Sequence, residues 1–88
     1  MKKSVVEKVE KFSKTYGMYG GNKKLDGISI YVEGDEYPIC VGYDIYNSQA
    51  SKYLGEKDFE KVRWNKGLRM AEKLYTELLE KCPEKCID

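Results

Sequence analysis

The chain contains no histidine, so the commonest general base and zinc ligand is missing from the start. What remains for chemistry is three cysteines, a few clustered carboxylates and eight tyrosines. Cys82 and Cys86 are separated by Pro83-Glu84-Lys85, and Cys40 stands far from both. Three thiols fall short of a four-ligand structural zinc site, and Cys82 continues an apolar helical pattern, so burial is its expected role. An odd number of cysteines suits reduced thiols better than a disulfide framework and points to a cytoplasmic setting. Glu33, Asp35 and Glu36 carry oxygens that a hard cation accepts, yet a solvated acidic turn explains them more simply. The expectation is a protein that is not an enzyme, with no catalytic residue, no metal and no cofactor.

Tyrosines beside acids point to binding instead. The stretch from Ile28 to Tyr46 holds Tyr31, Tyr37 and Tyr46 with Glu33, Asp35, Glu36 and Asp44, and no lysine or arginine. Tyrosine offers rigid amphipathic area at low entropic cost, and surrounding acids steer toward a basic surface. These seven residues are the expected partner-binding set. The expected function is a protein-interaction module, an adaptor or small inhibitor that docks a protein with a basic surface, such as one that binds nucleic acid. Net charge is only +1, but it is polarised: residues 1–24 carry seven lysines against Glu7 and Glu10, whereas residues 25–46 carry five acids and no base. The alternative function, ranked second, is direct nucleic-acid binding through a basic first helix, Lys23, Lys24 and an outer helix face of Lys66, Arg69 and Lys73. A third reading is homo-oligomerisation through a free strand edge.

Positioning these residues requires an α+β fold. Eighty-eight residues make one small domain, 1–88, of ordinary apolar content. The basic start of the chain has acids and lysines where a leader needs an apolar run, and no stretch is long enough to span a membrane. Ser4 and Glu7 form a capping box, and Val5, Val9, Phe12 and Tyr16 follow at helical spacing. The spacing predicts a first helix ending at Gly17, then a glycine-rich loop to Gly27. A hairpin follows, with Ile28, Ile30 and Val32 paired to Val41, Ile39 and Tyr37 on one apolar face, leaving Ser29, Tyr31 and Cys40 on the other. Pro38 favours a four-residue loop, Glu33 to Glu36. Ser51 to Leu54 is a candidate third strand. Asp58 is a plausible cap for a long helix whose stripe runs Trp64, Leu68, Ala71, Tyr75, Leu78 and Cys82, widened by Leu74 and Leu79 and stopped by Pro83. The order is αββα or αβββα, with two helices packed on one face of an antiparallel sheet.

Two short patterns invite comparison with RNA-binding families. Gly17-Met18-Tyr19-Gly20 has the GXXG outline of the KH domain, although the following segment leads into a strand where that family has a second helix. An αβββα order in a chain of this size resembles the double-stranded RNA-binding domain. That resemblance implies a fold, and it implies that the loop between the first two strands and the start of the second helix would meet RNA. Here those segments read Glu33-Gly34-Asp35-Glu36 and Glu56-Lys57-Asp58-Phe59-Glu60, whose acids repel phosphate.

Overall fold

A computed structural model describes residues 3–42 and 64–88, with side chains from residue 67 onward in the second part. A short helix α1 (Lys3–Val6) leads into strands β1 (Val9–Tyr19), β2 (Asn22–Val32) and β3 (Ile39–Gly42). A long helix α2 (Trp64–Lys81) and a 3-10 turn (Pro83–Lys85) complete the chain. The strands form one antiparallel sheet in the order β1-β2-β3. The α+β class and the antiparallel sheet follow the sequence expectation. The third strand, however, comes from residues before the expected hairpin. Ser51 to Leu54, Asp58 and the side chain of Trp64 lie outside the described residues.

The largest departure is the first helix. It stops at Val6, and residues 9–19 are extended. A register shift explains how the sequence disguised this strand. Val9 faces Val32 and Lys11 faces Tyr31, so Glu10 is an extra residue on β1. The bulge turns Val9 and Phe12, three apart, onto the same face of the sheet, where an unbroken strand would place them on opposite faces. Helical spacing and a bulged strand therefore leave the same apolar signature here. Tyr16 separates the two: Val5, Val9 and Phe12 are buried, but Tyr16 is 51% exposed.

Pairing decides the contest in favour of strand. Residues 11–19 run opposite residues 22–31, whose isoleucines and tyrosine suit a pleated surface. The reversal is a two-residue turn at Gly20-Gly21, with φ of +58° and +80°. Positive φ at both central positions is what a type I′ turn demands, and its twist matches that of the flanking strands. Gly17 thus lies inside β1 and caps no helix, and the GXXG outline spans a strand and its turn.

The β2–β3 register agrees with expectation at Ile28↔Val41, Ser29↔Cys40 and Ile30↔Ile39. It does not extend to Tyr37. Pro38 has no amide to donate, the ladder starts at Ile39, and Val32 pairs with Val9 on the other side. At the opposite end Gly27 faces Gly42. A Cβ on Gly27 would run into the Val41 carbonyl, and one on Gly42 into that of Asp26. The two strands approach more closely there than side chains permit.

One face of the sheet packs against α2. The core consists of Val9, Phe12, Ile28, Ile30, Val32, Ile39 and Val41 from the sheet, Ala71, Leu74 and Leu78 from α2, and Val5 and Cys82 at the margins. Phe12, Ile30 and Leu78 are fully buried. The expected helix stripe holds at Ala71, Leu78 and Cys82, whereas Leu79 is 39% exposed. As Pro83 predicts, the helix ends just before Cys82. The tail then returns along the outer edge of β1. Cys86 bridges Phe12 in parallel, the Ile87 amide donates to the Phe12 carbonyl at 3.0 Å, and the Lys14 amide donates to Asp88 Oδ2 at 2.9 Å. The tail thereby covers an edge that would otherwise template aggregation. Among the described residues, no strand pairs with the outer edge of β3.

A helix and a bulged strand give opposite expectations for Tyr16. Phe12→Ala should cost about 3 to 5 kcal/mol of stability, while Tyr16→Ala should cost about 1 kcal/mol or less. Urea midpoints of the two variants measure this, and equal losses would contradict residues 9–19 as a strand.

Candidate functional site

The acidic residues gather at one end of the sheet. The Glu33 amide donates to the Lys8 carbonyl at 2.8 Å, and the Asp35 amide to the Val32 carbonyl at 3.1 Å. Gly34, at φ +88°, permits this turn. The loop is thus tied to the α1–β1 connection at its start and to the ladder at Ile39. Glu33 and Glu36 are exposed and Asp35 is half-buried. Tyr37 is 63% exposed, which corrects its expected place on the buried face. Tyr31 projects from the face turned away from α2 at 36% exposure, with Lys11 Nζ 4.6 Å from its ring centroid. The structure therefore brings Tyr31, Glu33, Asp35, Glu36 and Tyr37 to one end, while Asp44 and Tyr46 lie outside the described residues.

The basic residues are dispersed more than expected. Because residues 9–19 are a strand, Lys8 and Lys11 lie at the acidic end, and Lys14 lies half-way along β1. Lys23 and Lys24 are exposed near the Gly20-Gly21 turn at the far end of the same sheet. Successive strand residues point to opposite faces, so Lys23 and Lys24 do not share one. Arg69 and Lys73 are exposed on α2, and the Lys66 side chain is outside the described residues. The basic first helix of the alternative reading is replaced by a strand with Lys11 at the acidic end and Lys14 half-way along, while Lys23 and Lys24 lie on β2 at the far end of the sheet.

A second feature was invisible in the sequence. The far half of the β1–β2 hairpin and α2 border a half-open cleft, a cavity of about 230 Å³. Leu25, Ile28, Leu68 and Ala71 give it an apolar interior, and Lys14, Glu72, Tyr75 and Thr76 form its polar rim. The hairpin wall continues outward through Tyr16, opposite Leu25, and Met18, opposite Lys23. Met18 is 69% exposed, and Lys23 Nζ lies 5.2 Å from the Tyr16 ring centroid. A second bulge builds this wall: Thr15 faces Gly27 and Tyr16 faces Leu25, so Asp26 is the extra residue and Leu25 and Ile28 share a face. Asp26 itself is buried and accepts hydrogen bonds from Thr15 Oγ1 at 2.7 Å and from the Tyr19 hydroxyl at 3.3 Å. The available sequence signal was Gly20-Gly21 flanked by alternating residues, which reads as a hairpin once the helical spacing before it is set aside.

Tyr75 closes the inner end of the cavity. Its ring meets Phe12 edge-on at 5.6 Å, and Lys14 Nζ stands 5.0 Å from its centroid. Its hydroxyl donates to Asp88 Oδ2 at 2.8 Å and lies 3.3 Å from Cys86 Sγ. The Cys86 hydrogen bond, burial and the Asp88 carboxylate together push the Tyr75 hydroxyl well above its ordinary value. Burial likewise raises the Cys82 thiol. Among the described residues, no group of three or more cysteines and carboxylates converges as a metal ion would require.

The pH dependence follows from these directions. A tyrosine near its ordinary pKa of about 10 in the unfolded chain but higher in the folded one stays protonated longer when folded, so its contribution is complete below about pH 10 and falls as pH rises further. Cys82 behaves in the same way from about pH 8.5 upward. Urea midpoints should decline above pH 9, and Tyr75→Phe should flatten the part of the decline above pH 10 while leaving the earlier part. An unchanged slope above pH 10 would mean that the hydroxyl is not held by the tail.

The chain matches no protein-family model, no curated protein and no solved structure with significance.

Proposed function

We propose that this protein is a non-enzymatic interaction module, an adaptor or small inhibitor, that docks a basic protein surface through the loop after β2. The observation that carries this reading is Tyr37, an aromatic side chain 63% exposed on a loop anchored at both ends and flanked by Glu33, Asp35 and Glu36. An aromatic residue presented on tethered backbone loses little freedom on binding, which is why such residues concentrate interface energy. The acids around it raise the rate of encounter with a basic surface and disfavour acidic ones. Tyr31 extends the surface onto the sheet, and Lys11 beside it sets a limit to the acidic patch.

Absence of histidine and the free thiols Cys40, Cys82 and Cys86 support binding in a reducing, cytoplasmic setting. No helix among the described residues is long and apolar enough to cross a membrane. A partner that itself binds nucleic acid would offer a surface of the required sign.

Affinity capture from the native host followed by binding measurements with the purified partner tests the proposal. Tyr37→Ala should weaken binding by about 2 kcal/mol or more, and reversing Glu33, Asp35 and Glu36 to lysine should abolish it, with the thermal midpoint retained in both. Undiminished binding by both variants would overturn the loop as the docking surface.

A further inference from the structure

We propose that the C-terminal tail is a strap on a self-association edge: residues 86–88 cover the outer edge of β1, and release of the tail lets that edge pair antiparallel with the same edge of a second copy. The edge is the one turned away from β2, and the proposal stands independently of the acidic loop's function.

Geometry places the strap. Along β1 the backbone groups turn alternately toward β2 and away from it, and the outward set includes those of Phe12 and Lys14. There the Phe12 carbonyl accepts from the Ile87 amide at 3.0 Å, and the Lys14 amide donates to Asp88 Oδ2 at 2.9 Å. The same carboxylate oxygen accepts from the Tyr75 hydroxyl at 2.8 Å. The tail has little apolar burial, since Ile87 is 59% exposed and Cys86 is half-buried. A segment tied mainly by exposed hydrogen bonds opens more readily than the core.

Charge names the occupant. An open strand edge is a template for pairing with another chain, and this edge is complementary to itself in one register. A two-fold axis at Phe12 sets the backbone groups of one Phe12 against those of the other and places Glu10 of each copy opposite Lys14 of the second, an ion pair on each side of the axis. The neighbouring registers lack this match. An axis at Ser13 sets Phe12 opposite Lys14, and an axis at Lys14 sets two lysines face to face. The bulge at Glu10 keeps the paired stretch short, so the association is weak and reversible.

The test is sedimentation velocity on the full chain over a range of concentrations, with amide hydrogen exchange as a second readout. Ile87→Pro combined with Asp88→Ala removes both tail bonds to β1 without altering the strand, and the extended backbone at Cys86, φ −72° and ψ 127°, accepts a following proline. This variant should dimerise about tenfold or more tightly than the wild type, and its Lys14 amide should exchange faster in the dilute monomer. Adding Lys14→Glu should return it to the monomer, and adding Glu10→Lys together with Lys14→Glu should restore the dimer. If the double tail variant loses its circular dichroism spectrum, Asp88→Ala alone is judged by the same outcomes. A variant that stays monomeric although its Lys14 amide exchanges faster, exchange no faster than in the wild type, equal dimerisation of the wild type, or association indifferent to the charge reversal would each overturn the proposal.

Discussion

Ile30 sits where the three strands come together: it faces Phe12 on β1 and Ile39 on β3, and all three side chains are buried in the cluster that contains Leu78 of α2. β2 is the central strand, with β1 pairing on one side and β3 on the other. Its apolar face therefore sets both registers at once. A slip of one residue at Ile30 would turn Phe12 or Ile39 toward solvent and Ser29 or Tyr31 toward the helix, which the burial of a whole face forbids. Everything the molecule presents outward is referred to this row.

Because β2 is long, its two ends are chemically independent. At Val32 the chain leaves the sheet into an acidic loop, and at Asn22 it has just turned from β1 through two glycines. The first end carries Glu33, Glu36 and Tyr37, while the other carries Lys23 and Lys24 with Tyr16 and Met18. Bulges at Glu10 and Asp26 adjust the twist between them. The second bulge also directs Leu25 and Ile28 to one side and buries the Asp26 carboxylate on the other under two hydroxyl donors. A buried acid in this arrangement is satisfied by hydrogen bonds, as burial requires.

The C-terminal tail joins the fold to the cleft. Tyr75 touches Phe12 in the core, lines the cavity, and bonds Asp88, which in turn accepts the Lys14 amide on β1. One side chain thus holds the helix, the sheet edge and the tail in register. Loss of the Tyr75 hydroxyl contact would loosen the tail first, since the tail edge has little apolar burial beyond Cys82 and the half-buried Cys86.

Much of the fold was legible in the residues themselves. Ile28, Ile30, Ile39 and Val41 declared their pairing, Ala71, Leu78 and Cys82 their helix stripe, and Pro83 its end, because each is a local pattern whose period has one reading. The acidic loop was legible as well, since charge needs no geometry to be recognised. Residues 9–19 were not: Val9 and Phe12 fit a helix by spacing and a bulged strand by pairing, and only the long-range ladder to residues 22–32 distinguishes them. Tyr37 was placed inward because strand alternation was carried back through Pro38, whereas the β2–β3 ladder begins only at Ile39 and leaves Tyr37 in the loop. The cleft has no sequence signature at all, as Leu25 and Leu68 belong to elements that meet only after folding. Sequence alone settled composition, local period and the charge at each end of β2; tertiary pairing decided which strand neighbours which, and therefore which side chains were left to form a surface, because a residue's face depends on its partner across the sheet as much as on its own neighbours in the chain.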